Sequence, residues 1–140
     1  MDNMKLVFYG ATSTVTGSKT LLEINNKKVL VDSGMYQGDK DSTKKNQVLP
    51  NFNINEIDAI FLTHAHYDHC GYLPVLIKNG FKGKIYCTEG TRKIVELILR
   101  DSASIQAYEF KEGKSQSILY DLDDVDATLS HLRSVSLNKW

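Results

Sequence analysis

The sequence predicts an α/β fold in which a mixed sheet carries helices on one face. Short apolar segments, separated by glycine or polar turns, fill the first part of the chain as strands do. Further along, such segments alternate with amphipathic helical patterns, which is the order found in parallel βαβ units. With 140 residues, the chain is long enough for one domain with a real core, assigned to residues 1–140.

Five segments are predicted as strands. Gly10 ends the first of them, and Asn25-Asn26 forms a hairpin turn between the second and the third. Residues 35–53 are polar, have no clear period and are predicted as a long loop. The predicted strands are residues 6–9, 20–24, 29–31, 59–62 and 84–87.

Three helices are predicted from apolar spacing and from their end signals. The first has Pro74 in its first turn and ends near Gly80. Thr91 is the predicted N-cap of a long second helix, and Asp121 or Asp123 caps the third. The predicted inner faces are Leu73, Leu76 and Ile77 on the first helix, Ile94, Leu97, Ile98, Ile105 and Tyr108 on the second, and Val125, Leu129 and Leu132 on the third.

Two of the predicted strands, residues 29–31 and 59–62, are apolar without alternation, which is typical of strands covered on both faces. The predicted helices can cover one face, but nothing after Leu132 resembles a further layer. We therefore expect the chain to be half of a larger unit. An isolated half would expose apolar sheet surface, so self-association is expected.

Composition narrows the class of protein. Lys+Arg and Asp+Glu are equal at 17 each, so no strong overall field attracts nucleic acid or a membrane surface, although a local patch would suffice. The two cysteines form no C-x-x-C pair, which indicates a reducing compartment. No signal peptide and no apolar run of about 20 residues is visible, so we expect a cytoplasmic location without a membrane span.

The main candidate site is the segment 63–71, which reads T-H-A-H-Y-D-H-C-G and directly follows an apolar strand. Three of the four histidines lie in it. Imidazole and carboxylate are ligands of borderline metals such as zinc. Burying such groups without partners would be costly, so packing alone does not explain the cluster. The pattern predicts a metal site with room for two ions, and a metal-dependent hydrolase is the leading interpretation.

The spacing indicates how two ions would be shared. Alternation in an extended segment places His64, His66 and Asp68 on one side, and His69 follows as the backbone turns. Two histidines would then reach one ion, while Asp68 and His69 reach the other. Ions about 3.5–4 Å apart can clamp a bridging hydroxide whose pKa is lowered to near 7, which suits hydrolysis of phosphodiesters or other esters.

Other candidates are weaker. Asp32 follows an apolar strand, and its position leaves a turn-forming role and a role in orienting a metal ligand equally open. The loop 10–17 lacks the G-K-[ST] ending of a phosphate loop and is expected to connect strands. Cys70 and Cys87 are expected to be small buried thiols, and His131 to be solvated or capping.

The motif T-H-A-H-x-D-H-x-G, together with V-D-S-G-M-Y-Q-G at residues 31–38, resembles the metallo-β-lactamase superfamily. The opening F-Y-G-A-T-S-T-V-T-G-S at residues 8–18 is similar to the β-CASP branch, which holds RNA-processing nucleases of the RNase J and cleavage-and-polyadenylation types. This resemblance implies an αββα sandwich, of which the chain would form the N-terminal half. The downstream ligand motifs and the β-CASP insert would be absent.

The resemblance also implies roles for individual residues. His64 and His66 would bind the first Zn²⁺, and Asp68 and His69 the second. Asp68 would also orient the attacking hydroxide, and Asp32 would support the site as a buried carboxylate. The full-length parent would act on single-stranded RNA.

Two other functions stay open from the sequence. One is a metallo-hydrolase of a small ester or thioester, and the other is a truncated, non-catalytic module that binds metal weakly or serves in interactions. Only two ligands per ion are visible, where stable zinc sites usually have three or four. The 140-residue chain alone is therefore expected to bind zinc weakly and to be inactive.

Overall fold

The computed structural model describes residues 3–139, which form one six-stranded sheet and five α-helices. Within this range, no helix combines the length and the apolar character needed to cross a membrane. The strands are β1 (Lys5–Phe8), β2 (Thr20–Ile24), β3 (Lys27–Val31), β4 (Ala59–Phe61), β5 (Lys84–Thr88) and β6 (Leu132–Val135). The helices are α1 (Ser42–Gln47), α2 (Tyr67–Cys70), α3 (Leu73–Lys78), α4 (Glu89–Lys111) and α5 (Leu122–His131).

The sheet is mixed, and its strands follow one another in chain order from β1 to β6. The pairs β1–β2 and β2–β3 are antiparallel, whereas β3, β4, β5 and β6 run parallel. Asn25 and Asn26 join β2 to β3 with φ of 49° and 60°, the left-handed values that a tight hairpin turn requires. The predicted α/β class, mixed sheet and hairpin are confirmed.

Within residues 3–139, the helices cover one face of the sheet and leave the other open. On the covered face Leu21, Leu30 and Ile60 join one core with side chains of α3, α4 and α5. The opposite face carries Phe8 and Phe61, whose exposed fractions are 59% and 45%. Because neighbouring strands continue this alternation in register, the open face forms one continuous surface. The expectation of helices on one face is confirmed.

The prediction for the long helix was wrong in two respects. Thr88, not Thr91, is the N-cap of α4, and its hydroxyl accepts a hydrogen bond from the Thr91 backbone N–H. The buried stripe is Val95, Leu99 and Ala103, whereas the predicted inner residues Ile94, Leu97, Ile105 and Tyr108 are exposed and only Ile98 is partly buried. The helix has two apolar stripes, and the stripe with the smaller side chains is the one that packs against β5, β6 and α5.

Two further differences concern short elements. The predicted loop 35–53 contains α1, whose polar sequence has no apolar period. Asp39 stabilises its start, because its carboxylate accepts from the Ser42 hydroxyl at 3.0 Å. Leu132 begins β6 instead of ending the last helix, and β6 extends the same sheet beside β5. The remaining predicted strands and helices are confirmed, including Asp121 as the N-cap of α5.

Candidate metal centre

The candidate centre lies where β3 and β4 end side by side. Because the two strands are parallel, the residues that follow them meet at the same edge of the sheet. Asp32 follows β3, and its backbone N–H donates to the Phe61 carbonyl at 2.9 Å. Thr63 stands two residues after β4. The motif 63–71 and Asp32 are therefore brought together by the strand pairing itself.

The segment after β3 is joined to the motif by backbone hydrogen bonds. Gly34 shows how close this approach is, because a Cβ added there would lie 1.5 Å from the Asp68 carbonyl oxygen. No side chain fits at this position without displacing the motif. Two bonds run from this segment, Ser33 N to His69 O (2.8 Å) and Met35 N to Tyr67 O (3.2 Å), and Ser18 N, ahead of β2, adds a third to Asp68 O (2.9 Å).

Asp32 is the centre of the hydrogen-bond network of the site. The residue is 3% exposed, and its φ of 62° is a left-handed value that Asp and Asn tolerate better than most residues. Oδ1 accepts from the Thr63 backbone N–H at 2.8 Å, and Oδ2 accepts from the Thr63 hydroxyl at 2.8 Å. Oδ2 also lies 2.8 Å from His69 Nδ1. The buried charge is thus compensated by hydrogen bonds from two residues of the motif.

These bonds define which nitrogen of two histidines is free. Because a carboxylate only accepts, His69 Nδ1 donates to Asp32 and Nε2 keeps its lone pair. Thr63 has one hydroxyl proton, which goes to Asp32, so its oxygen accepts from His64 Nδ1 at 2.8 Å. His64 Nε2 is then the free nitrogen as well. A metal-binding histidine usually donates its other N–H in this way, so both imidazoles fit zinc.

The four predicted ligands lie within one cluster. The ring centroid of His64 is 4.1 Å from that of His69 and 4.7 Å from that of His66. Asp68 Oδ2 lies 3.5 Å from His69 Nε2. The expected extended alternation continues only to His66, because α2 begins at Tyr67 and places Asp68 in a helical turn. Over residues 3–139, no three or more His, Cys, Asp or Glu side chains converge as a ready metal site.

The weaker candidates Cys70, Cys87 and His131 lie outside the cluster, and both cysteines are buried as expected. Cys70 and Cys87 are buried, and burial raises the pKa of both thiols, that of Cys70 to about 12. Cys70 Sγ donates to the Ala65 carbonyl at 3.4 Å. His131 lies at the end of α5, where its Nδ1 is 2.7 Å from the Gly83 carbonyl oxygen. None of the three side chains belongs to the cluster.

Thr63 and a network of hydroxyl groups beside the motif were not predicted as parts of the site. The position of Thr63 next to His64 could have indicated its role, because a hydroxyl there can orient the imidazole. The network could not be predicted from a local pattern, because its members are far apart in sequence. Tyr67 Oη lies 2.8 Å from Ser102 Oγ, and Tyr120 Oη donates to the same oxygen at 2.9 Å. Burial raises the pKa of Tyr120.

This fold and donor set define the class of protein. Residues 15–132 match the family model of the metallo-beta-lactamase superfamily, and the chain belongs to that superfamily. The resemblance found in residues 8–18, 31–38 and 63–71 is thereby confirmed. Among solved structures, a metallo-β-lactamase from Cronobacter sakazakii aligns with 63% of this chain and 30% of its own, at 19% identity and a TM-score of 0.46.

Three curated relatives have names that are more specific than the superfamily. Ribonuclease TTHA0252 from Thermus thermophilus is 36% identical over 98% of this chain and 29% of its own length. Transcription termination factor FttA from Methanocaldococcus jannaschii is 32% identical, over 91% of this chain and 19% of its own. Cleavage and polyadenylation specificity factor 73 from Drosophila melanogaster is 29% identical, over 99% and 19%. The chain spans less than a third of the length of these relatives.

Proposed function

We propose that the chain is the N-terminal part of a zinc-dependent nuclease of the β-CASP branch, which hydrolyses phosphodiester bonds of single-stranded RNA. The observation that carries this proposal is the network of Asp32, which orients His64 and His69 with Nε2 free. The names of the relatives support RNA as the substrate class. A cytoplasmic location is part of the proposal.

In this proposal His64 and His66 hold one zinc ion, and Asp68 and His69 hold a second. Bound zinc would supply a nucleophile at neutral pH by lowering the pKa of water, and would polarise the phosphate. Asp68 orients the nucleophile from the first turn of α2. Asp32 orients the His69 imidazole directly and the His64 imidazole through the Thr63 hydroxyl.

The proposed domain assignment is that residues 1–140 form the N-terminal half of an αββα sandwich. The open sheet face supports this assignment, because Phe8 and Phe61 lie on it without cover from residues 3–139. With two ligands for each ion, we expect weak zinc binding by this chain and no efficient catalysis. A misplacement of about 1 Å at a reacting centre can lower a rate about 100-fold.

Zinc binding is tested by calorimetric titration of the 140-residue chain. We expect weak uptake that a His64→Ala/His66→Ala double variant reduces. The matched control is Asp101→Ala, which removes an exposed carboxylate from α4. No uptake by the unsubstituted chain, or equal uptake by the double variant, contradicts the assignment of the ligands.

Activity is tested on the chain and on the full-length product of its gene, with labelled single-stranded RNA and a thioester, each with and without chelator. We expect the gene product to cleave RNA in a chelator-sensitive way, and Asp68→Ala to abolish cleavage while the fold persists. Cleavage of the thioester alone would replace the nuclease with a small-substrate hydrolase. Efficient RNA cleavage by the 140-residue chain would disprove its incompleteness.

A further inference from the structure

A cavity of about 480 Å³ lies beside the motif, between the end of β1, the start of β2 and the segment after α1. Its volume is within the range of small-ligand sites. Its walls combine tyrosine rings with lysine side chains, namely Tyr9, Tyr36, Tyr72, Lys19, Lys44 and Lys45. This pairing of aromatic and basic side chains is typical of proteins that bind single-stranded nucleic acid.

Lys19 is a buried cation in this cavity, with an exposed fraction of 2%. Its ammonium lies over the rings of Tyr36 and Tyr72, at 4.8 and 4.5 Å from their centroids. It donates to the Gly34 carbonyl at 2.6 Å and, more weakly, to the Gly17 carbonyl at 3.5 Å. An ammonium has three N–H donors, so at least one is left without an acceptor among residues 3–139.

The charge of Lys19 is not balanced by a protein anion. Within the described chain, no carboxylate lies within 4.0 Å of its Nζ, and burial lowers its pKa to about 8. The ammonium is therefore still protonated at neutral pH, although desolvation opposes it. Lys44 is exposed on the same cavity, and Lys45 pairs with Asp39 at 2.9 Å. The cavity thus has an excess of positive charge that an anion would complement.

The cavity shares its backbone with the motif. Ser18, next to Lys19, donates to the Asp68 carbonyl at 2.9 Å and accepts from Gly34 N at 3.0 Å. Tyr72 directly follows the motif and donates its backbone N–H to the Ser33 carbonyl at 2.9 Å. A group bound over Lys19 would therefore lie at the same edge of the sheet as the candidate metal ligands.

We propose that this cavity binds a phosphate group of the RNA strand whose hydrolysis is proposed above. The inference depends on that function for the identity of the strand, but the site itself follows from the unbalanced ammonium, the flanking lysine and the cavity. A phosphate oxygen accepts from Lys19 at the floor, while Lys44 contacts it from the rim. Tyr9 and Tyr36, which are partly exposed in the cavity, pack beside the adjoining nucleotide.

The test measures binding of a short fluorescent single-stranded RNA to the 140-residue chain by anisotropy at low salt. We expect Lys19→Met and Lys44→Met each to raise the Kd about 10-fold, as for loss of one hydrogen bond to a charged group. The matched control is Lys27→Met, which removes the same charge at the far end of β3, where Lys27 pairs with exposed Asp58. Inorganic phosphate should compete with the RNA in the unsubstituted chain.

Two results overturn the proposal: an unchanged Kd in a folded Lys19→Met chain, or an equal loss in Lys27→Met. Should Lys19→Met not fold, an unchanged Kd in Lys44→Met overturns it, because Lys44 is exposed and its loss leaves the core intact. Comparison of 5′-phosphorylated with 5′-hydroxyl RNA tells a terminal phosphate from an internal phosphodiester. Both assignments uphold the site.

The zinc titration and the RNA titration together separate this inference from the proposed function. The RNA titration is made without added zinc, so its outcome for Lys19→Met and Lys44→Met does not depend on metal uptake. If the unsubstituted chain takes up no zinc but the lysine variants still lose RNA, the metal proposal fails and the phosphate site stands. If zinc is taken up and the lysine variants bind RNA normally, the phosphate site fails alone.

Discussion

At the scale of single residues, Asp32 connects the backbone to the chemistry of the site. Its left-handed φ turns the chain sharply after β3, so that the carboxylate faces the motif instead of continuing the strand. One carboxylate then fixes both Thr63 and His69. The sequence left its role open, because a turn-forming Asp and an orienting Asp have the same pattern. Only the positions of Thr63 and His69 in space separate the two.

Asp32→Asn tests this connection without disturbing the backbone, because Asn also tolerates a left-handed φ. The amide cannot accept from Thr63 and from His69 as the carboxylate does, since one of its two ends only donates. We expect zinc affinity to fall about 10- to 100-fold, as for loss of an orienting partner. Calorimetric titration measures it, with Asp101→Asn on the exposed side of α4 as the control. Unchanged affinity in a folded Asp32→Asn chain would contradict the role.

Lys19 gives a second prediction at this scale, in the pH dependence of stability. Its folded pKa of about 8 lies below the ordinary 10.5, so between these values the unfolded chain holds a proton that the folded chain has lost. The free energy of unfolding therefore rises with pH in this window, by up to about 3 kcal/mol.

The measurement is urea unfolding from pH 7 to 10 for the unsubstituted chain and for Lys19→Met. Burial raises the pKa values of Cys70 and Tyr72 to about 12, so the unfolded state loses these protons first and both chains become less stable at alkaline pH. The difference in unfolding free energy between the two chains removes this shared effect. We expect the stability of the unsubstituted chain, relative to that of Lys19→Met, to rise as the pH rises above 8. A constant difference would show that Lys19 is not buried as a cation.

At the scale of elements, sequence patterns predicted most strands but not the orientation of α4. The bounds of β2 were predicted because a hairpin turn and a glycine-flanked apolar run are local signals. The face of α4 is decided by its partners, β5, β6 and α5, which are not local. Large residues such as Leu97 suggested the core, yet Leu97 is exposed and the small Ala103 is buried. Propensity and period do not show which stripe of a helix its neighbours will cover.

The N-terminus of α4 offers a prediction that separates two neighbouring threonines. Thr88 Oγ1 accepts from Thr91 N and lies 3.1 Å from Thr91 Oγ1. Thr88→Ala removes the cap and should cost about 1 kcal/mol of unfolding free energy. Thr91→Ala keeps the backbone donor and the cap, so it should cost clearly less. Urea unfolding of the two variants measures this, and an equal or reversed order would contradict Thr88 as the cap.

At the scale of the whole molecule, the candidate site and the open sheet face belong to the same sheet. Parallel pairing of β3 with β4 collects Asp32 and the motif at one edge, where the spacing of the motif had predicted a metal site. The sequence could not predict how the backbone of residues 33–35 holds the motif, because that depends on register between segments about 35 residues apart. The same sheet has an apolar face that the helices of residues 3–139 do not cover.

The last prediction concerns this face, which we propose associates with a second copy of the chain. Leu6, Phe8 and Phe61 are exposed on it at 52%, 59% and 45%, and the Phe61 ring stacks on that of Tyr86 at 5.3 Å. Apolar patches above a few hundred Å² usually find a partner. Sedimentation should therefore show a mass that rises with concentration, together with binding of a hydrophobic dye below saturation.

Replacement of two residues decides whether the sheet face carries this association. Phe8→Ser/Phe61→Ser should shift the equilibrium toward monomer by at least about 10-fold, since each buried aromatic side chain contributes about 1.5–3 kcal/mol. The control is Ile94→Ser/Leu97→Ser, which removes two exposed apolar side chains from the outer stripe of α4. Association that responds only to the α4 variant would assign the contact to the helix layer. A monomeric mass at high concentration without dye binding would contradict both an associating face and an open half of a sandwich.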